Sequence, residues 1–427
     1  MQIYRNLRLH FSLLLLSFFN RFIFSFFSGY SPYDLHPDSR WIVELSSRAY
    51  QGDFDYDIGR FVAAPLYQSF IAVIKLLSNN YWGPILIVLQ ILFSSFIVIF
   101  IYEIAYLLFN NRKTSCIAGI IYSFYPFTFW WVGSYAGETL FQSLFVISVY
   151  FLIKSLNTYS IRYIVYSATF FSTAYLTKSH ILLYSPFIVG LVFLINDRPV
   201  NQKIYYAVIY STICLLFSVP FGLFTLKHYN SYIISSNGAG FHFYTGNSEF
   251  GYTTVVDTPP FGSSEFRKMY NFEISYFNGS VHDSIMGLSQ SEKQKLFFLE
   301  AVKWIRNNPS KFVELKLTNL AKFIVPGVSK AHYPFHTWLY SIMISLPIYL
   351  LGYYGIAIAV RNNPKLHYWI IGLFFSMLIF SVVFYVQNRF RVITIEPFYL
   401  IYASFGLSHI VHKIHFLYNG IKKKKKY

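Results

Sequence analysis

Long apolar stretches separated by brief polar punctuation run through most of the chain. Runs of about 20 apolar residues are long enough to cross a hydrocarbon core as helices. They fall at roughly 9–28, 83–108, 114–131, 136–153, 161–177, 180–196, 203–225, 337–360, 366–386 and 392–411. The pattern predicts an all-α polytopic protein with about ten transmembrane helices. The first run, "SLLLLSFFNRFIFSFF", lacks a small-residue cleavage site and continues into aromatics, so it reads as a retained span and not a secretory signal. A less uniformly apolar stretch, "PLYQSFIAVIKLLSNN" at 65–80, is expected to lie along the outer surface as an amphipathic helix.

Two long polar segments interrupt this pattern, at roughly 29–80 and 226–336. In the second, "SSNGAGFHFYTGNSEFGYTT" has the glycine and turn chemistry of loops or short strands. The following "SQSEKQKLFFLEAVKWIRNNPSKFVELKLTNLAKFI" predicts two helices, with Asn308 capping and Pro309 opening the second. The expected organisation is a transmembrane core in 1–225 that carries the first outer loop, a mixed extracytoplasmic domain in 226–336, and C-terminal spans with a basic tail in 337–427.

Composition supports the membrane reading. With 55% hydrophobic, 22% aromatic and 12% charged residues, the chain cannot clothe a soluble surface of its length. A net charge of +17 would suit nucleic acid only if it were gathered on one soluble face, and here the basic residues punctuate the apolar runs instead. Arg5, Arg8, Arg112, Lys113, Lys154, Arg162, Arg198, Lys203, Arg361, Lys365, Lys413 and the terminal lysines fall on one side, provided that 65–80 does not cross. That side is the cytoplasm by the positive-inside rule, with both termini there. Low charge and abundant Ile, Lys, Asn, Phe and Tyr favour a bacterial inner membrane. Cys116 and Cys214 sit in apolar runs and offer neither a disulfide framework nor a zinc cluster. "NGS" at 278–280 matches a glycosylation acceptor.

Exceptions to the charge pattern carry the chemistry. Asp34, Asp38, Glu44, Asp53, Asp55 and Asp57, a third of the 18 acids, follow directly on the first span. Outside the two large segments, the outer side receives only Lys178 in "AYLTKSHILL" and Arg389 and Arg391 in "VQNRFRVITIEP". Topology gains nothing from cations there, whereas an anionic lipid headgroup would: arginine offers phosphate a bidentate fork and lysine a point charge. The competing reading is that they pair with nearby acids or snorkel to headgroups. Glu138, in "WWVGSYAGETLFQSLF", opens a span with almost no other charge nearby. Such a residue is functional by default, or else simply favoured by the helix dipole. Arg21, deep in the first span, calls for a lipid phosphate or a buried acid as partner.

The ordered segments "HPDSRWIVELSSRAYQGD", "APLYQSFIAVIKLL", "YAGETLF", "YLTKSHILLYSP", "FYTGNSEFG", "AVKWIRNNPSKFVELKLTNLAKF" and "NRFRVITIEPFYLIYASFGL" resemble the dolichyl-phosphate-mannose protein mannosyltransferases, which share the GT-C fold with the lipid A aminoarabinose transferases. The resemblance implies transfer of a sugar from a polyprenyl phosphate to an acceptor at the outer face. It matches Asp38 to the family's acid after the first span, Glu138 to its second acid, Lys178 to a lysine or arginine in "LTKG", and Arg389 and Arg391 to a late "RYR". Ser179 in place of that glycine and "NSEFG" in place of an asparagine pair depart from the pattern. They put the acceptor and the fine donor contacts in question.

A sugar phosphate carries a good leaving group, so transfer needs one carboxylate to accept the attacking hydroxyl's proton and positive charge for the departing phosphate. On this reading Asp38 is the base or a metal ligand, Glu138 a supporting acid or metal ligand, and Lys178, Arg389 and Arg391 the phosphate binders, with inversion at the anomeric carbon. His180 is a further candidate donor to the phosphate, and His242 and Asn247 are candidates for the acceptor side. Magnesium or manganese would suit carboxylates bridged to phosphate, although no spacing demands a metal. Asp53, Asp55 and Asp57 read as solvated loop charge. An O-antigen polymerase or ligase and a lipid-linked glycan flippase are the alternatives. The former would place its basic outer loop late, and the latter would show paired halves with broken helices.

Overall fold

The computed structural model describes residues 2–36, 38–158, 160–195, 199–259, 262–265, 285 and 287–424. The "NGS" triplet at 278–280 lies outside them. Among the described residues the secondary structure is helical, and β-pairing is limited to an isolated bridge between Asp57 and Val62.

In chain order the helices are α1 (Gln2–Phe27), α2 (Ser39–Tyr50), α3 (Leu66–Ser78), α4 (Trp82–Phe109), α5 (Arg112–Phe124), α6 (Glu138–Thr158), α7 (Ile161–Thr177), α8 (Ser185–Ile195), α9 (Val200–Tyr229), α10 (Ala239–Gly246) and α11 (Glu249–Val255). Further along the chain come α12 (Gln290–Asn307), α13 (Pro309–Ile324), α14 (Phe335–Asn362), α15 (Pro364–Val383), α16 (Asn388–Thr394) and α17 (Glu396–Lys424). Short 3₁₀ turns at Asn79–Tyr81, Pro126–Thr128 and Ser179–Tyr184 link α3 to α4, follow α5, and join α7 to α8.

The chain is a multi-pass integral membrane protein. Six helical stretches, Leu7–Phe27, Leu66–Phe109, Glu138–Thr158, Val200–Tyr229, Phe335–Asn362 and Pro364–Val383, are long and apolar enough to cross a bilayer. The other expected spans overlap helix in α5, α7, α8 and α17, of which α5 and α8 have only 13 and 11 residues, so six of the expected ten have the length and hydropathy of a crossing helix among the described residues. In the expected surface stretch, Asn79 adopts φ +49° and interrupts the helix, so α3 is distinct from α4 and packs against α2 and α7. Val73, Leu76 and Leu77 on α3 are exposed, as suits a helix whose outer face meets lipid.

With no water to satisfy backbone groups in hydrocarbon, helices must bury small residues to approach one another closely. The α14–α17 pair does so: a Cβ on Gly355 would fall 2.0 Å from the Tyr402 carbonyl oxygen, and one on Gly406 would fall 2.5 Å from that of Leu351. A continuous core joins α4, α6, α7, α15 and α17 through Ile101, Phe141, Phe145, Phe171, Trp369 and Phe398. Some buried polar side chains near it are fully engaged. Arg21, fully buried, donates to Ser94 Oγ at 2.6 Å, to the Ser17 carbonyl and to Thr128, and lies over the rings of Tyr122 and Phe129. Neither the buried acid nor the lipid phosphate expected for it is needed.

Two expectations for the outer segments are corrected. The glycine- and aromatic-rich stretch is helical, as α10 and α11: Ser248 caps α11 by accepting the Gly251 N–H, and Phe241 and Tyr244 of α10 pack on Phe297 and Ala301 of α12. This tertiary burial overrides the local turn signals. Helix α12 begins in a capping box between Ser289 and Glu292. Asn308 occupies the cap position of α13, but its side chain turns back to the Trp304 carbonyl. The acidic loop, too, is more than solvated charge. Arg48 pairs with Asp53 and Asp55, the Tyr229 hydroxyl donates to Asp55 at 2.6 Å, and Gln290 donates to Asp57. Asn237 accepts the Val62 N–H at 2.7 Å, and Gln294 donates to the Arg60 carbonyl at 2.8 Å. The segment after α2 is thereby stitched to α9, to α12 and to the stretch that leads into α10.

Candidate active site

The N-terminal end of α2 sets the first carboxylate. Asp38 occupies the cap position yet makes no capping bond, so its carboxylate is free to reach elsewhere, and it meets Arg389 Nη1 at 2.8 Å. Helix α2 is held in place because Ile42, Leu45 and Ala49 are buried on one face. Its neighbour Lys75 on α3 donates to Ser46 and Ser47 at 2.9 and 2.6 Å.

Glu138 opens α6, where the helix dipole favours a carboxylate, and is only 1% exposed. Its Oε1 receives Lys178 Nζ at 2.8 Å and His36 Nε2 at 2.9 Å, with Arg389 Nη1 at 3.9 Å. Lys178 ends α7 and Arg389 lies in α16, so four places in the chain deliver charge to one point.

His36 ties them together and was not singled out from the sequence. Its Nδ1 accepts the Asp38 backbone N–H at 3.1 Å, which places the ring proton on Nε2, directed at Glu138. Arg389 Nη1 stands 3.0 Å from that same nitrogen, which, protonated, offers it no lone pair. The only sequence signal was a histidine two residues before an outer-loop aspartate.

Three polar atoms at this cluster are buried without a partner: Arg389 Nε, His180 Nε2 and Glu138 Oε2. Buried polar groups are ordinarily satisfied, so three unpaired atoms around one set of charges mark a place prepared for a polar ligand. His180 projects from the Ser179–Tyr184 turn into a cage of Phe141, Phe380 and Phe390, with ring centroids at 5.1, 5.7 and 4.8 Å. His242 on α10 stacks between Phe61 and Tyr385 at 5.1 and 5.4 Å.

Electrostatics agree with the geometry. Burial raises the Asp38 carboxyl, but the positive charge of Arg389, with that of Lys178 behind it, outweighs it and holds the group down at about 2. Burial first, then Arg389 and Lys178, push His242 down to about 4, so it faces the cluster as a neutral ring. Burial opposes the charge of Arg389, but Asp38 and Glu138 more than compensate and raise its affinity for the proton.

Asp38, Glu138, Lys178 and Arg389 thus meet in direct contact, and His180 and His242 lie near them among aromatic rings. Two other expected residues do not join them. Arg391, expected to bind phosphate, is 2% exposed and turned away. Its Nη1 donates to the carbonyls of Phe323 and Val325 at 2.7 and 2.6 Å, and its Nε faces Glu396 at 3.3 Å. Those carbonyls belong to the C-terminal end of α13, the negative pole of a helix, so the guanidinium is already satisfied. Asn247, expected on the acceptor side, is fully buried and joins α10 to α15 by donating to Phe243 O and Val383 O at 2.7 and 2.9 Å.

The carboxylates do not suit a divalent cation in this arrangement. Asp38 Oδ2 and Glu138 Oε1 each already face a cation at 2.8 Å, and among the described residues no three His, Cys, Asp or Glu side chains form a metal-ligand group. Asp38 Oδ2 and Glu138 Oε1 would open to a metal only if Arg389 and Lys178 moved away.

Comparison with known proteins gives a consistent picture. No curated protein sequence matches the chain. The apo oligosaccharyltransferase of Archaeoglobus fulgidus superposes with a TM-score of 0.58 at 11% identity, over 97% of this chain and 52% of that protein. The archaeal enzyme in complex with an inhibitory peptide and a dolichol-phosphate superposes with a TM-score of 0.53 at 13% identity, over 97% and 52% of the two chains. The chain therefore spans about half the length of this protein. ArnT from Cupriavidus metallidurans bound to undecaprenyl phosphate gives a TM-score of 0.39 at 13% identity, over 94% and 77% of the chains. In architecture the chain has the GT-C fold of membrane glycosyltransferases, and its residues 62–224 match the model of the dolichyl-phosphate-mannose-protein mannosyltransferase family.

Proposed function

We propose that the protein is an integral-membrane glycosyltransferase that moves a sugar from a polyprenyl-phosphate donor to an acceptor hydroxyl at the outer face of the membrane. The observation that carries this reading is the convergence of Asp38, Glu138, Lys178 and Arg389 around unpaired Arg389 Nε and His180 Nε2. The shared fold with a protein that binds dolichol-phosphate supports the donor class, the basic residues of the short loops support cytoplasmic termini, and low charge with abundant Ile, Lys, Asn, Phe and Tyr supports a bacterial inner membrane. Residues 29–80 then form the first outer loop and 226–336 the outer domain.

Arg389 and Lys178 receive the donor phosphate, Arg389 by its planar fork and Lys178 as a point charge. Asp38 faces them from the loop. The acceptor hydroxyl loses its proton to Asp38 as its oxygen bonds to the anomeric carbon. The bond from that carbon to the phosphate oxygen breaks, and its electron pair leaves with the polyprenyl phosphate. Attack opposite the leaving group inverts the anomeric centre. Glu138 keeps Lys178 and His36 in position, and no step requires a metal.

Purified protein in nanodiscs, incubated with a panel of radiolabelled polyprenyl-phosphate sugars, tests the reading. Turnover of at least one donor, lost in Asp38→Asn, is expected. No turnover of any donor, or an undiminished rate in the variant, would overturn it.

A further inference from the structure

The Asp38–Arg389 pair is placed where both of its members are needed for something else. On the glycosyltransferase reading, Arg389 must hold phosphate and Asp38 must accept a proton, yet here each occupies the other at 2.8 Å. Three features make this pair, rather than Glu138–Lys178, the one that opens. Asp38 is 27% exposed and sits on a loop, whereas Glu138 is 1% exposed and has both His36 and Lys178 on one oxygen. Stripping a fully buried carboxylate of its partners leaves an uncompensated charge, a costly outcome that a partly exposed one escapes. Asp38 also engages Arg389 through Nη1 alone, while Arg389 Nε is buried and idle. A phosphate can take the guanidinium through two donors where the carboxylate takes one.

We propose that Asp38 and the lipid phosphate compete for Arg389, so that the donor, on arriving, draws Arg389 away and thereby unmasks Asp38 as the base. Before the donor binds, the guanidinium on Asp38 Oδ2 stabilises the carboxylate and makes it a poorer acceptor of a hydroxyl proton. Afterwards, the phosphate occupies Arg389 and the carboxylate is free. The consequence is an ordered reaction in which the acceptor is activated only on an enzyme already loaded with donor, which prevents deprotonation of hydroxyls at an empty site.

Binding of undecaprenyl phosphate and dolichyl phosphate, both without sugar, to the full chain in nanodiscs separates the outcomes. Competition predicts that Asp38→Asn binds the lipid phosphate more tightly than wild type, by about threefold or more, and that Arg389→Ala binds it at least about tenfold more weakly. Unchanged or weaker binding in Asp38→Asn, with wild type still binding, would overturn the competition and leave the donor assignment standing. No binding of either lipid by wild type would overturn both. If the asparagine variant does not fold, as judged by its thermal unfolding, Asp38→Ala and Asp38→Ser carry the same expectation.

Discussion

Two arginines stand two residues apart in α16 and lead opposite lives. Arg391 is enclosed: it meets the carbonyls at the end of α13, pairs with Glu396, and lies over the ring of Tyr349. Glu396 is itself completed by the hydroxyls of Tyr125 and Tyr349 at 2.9 and 2.7 Å. Arg389 faces a cluster in which its own Nε, Glu138 Oε2 and His180 Nε2 lack partners. A saturated charge holds a fold together, whereas an unsaturated one waits for something. The contact inventory separates the two residues where their sequence neighbourhood cannot. The two also cooperate: Arg391, together with Asn388 bonded to the Gly327 carbonyl at 2.8 Å, pins α16 to the linker after α13 and so presents Arg389.

Substitutions at the two arginines break the comparison most directly. Arg391→Ala strands Glu396 in the interior and is expected to cost about 3–5 kcal/mol of stability, read as loss of folded protein in a thermal-unfolding assay. Arg389→Ala is expected to cost clearly less stability than Arg391→Ala, because Asp38 is partly exposed, while lowering turnover by about a hundredfold or more. An equal loss of stability in both variants would erase the distinction between them.

Smaller effects sharpen the picture. His36→Ala removes one of the two donors on Glu138 Oε1 and the acceptor of the Asp38 N–H, and should slow turnover about tenfold. His36→Gln, which retains a donor, should restore part of the rate, as measured by initial velocities. The smallest effect concerns acid. Because the folded Asp38 is held at about 2, below its ordinary value of about 3.9, its pairing contributes stability that is fully present above roughly pH 4 and lost as pH falls through about 2. The difference in unfolding temperature between wild type and Asp38→Asn should therefore stay flat from pH 7 to pH 5. A difference that shrinks over that interval would show that Asp38 is not held by Arg389.

Much of this was legible in the chain. Helix positions followed from apolar runs because a bilayer demands them, and Asp38, Glu138, Lys178 and Arg389 stood out because charge is rare on that side of these spans. His36 was hidden because a single histidine beside an aspartate has no periodicity or motif, and its importance arises only when α6 brings Glu138 against it. Arg389 and Arg391 were indistinguishable in "NRFRV" because a two-residue step turns a side chain through about 200° on a helix, a direction that means nothing until α13 and the cluster are placed. The helices α10 and α11 were missed because their stability comes from packing, α10 on α12 and α11 on α13, and not from local propensity.

The opposed pairing of Asp38 with Arg389 and Glu138 with Lys178 also governs the electrical bookkeeping of the proposed reaction. Two negative and two positive groups cancel before anything binds, and a phosphodiester donor adds one negative charge. At transfer the departing phosphate acquires a second negative charge in the same event in which Asp38 surrenders its own to a proton. The total charge of these groups does not change. Chemistry in a low-dielectric place is hardest when it must create net charge. This arrangement asks only that one negative charge move from one side of Arg389 to the other.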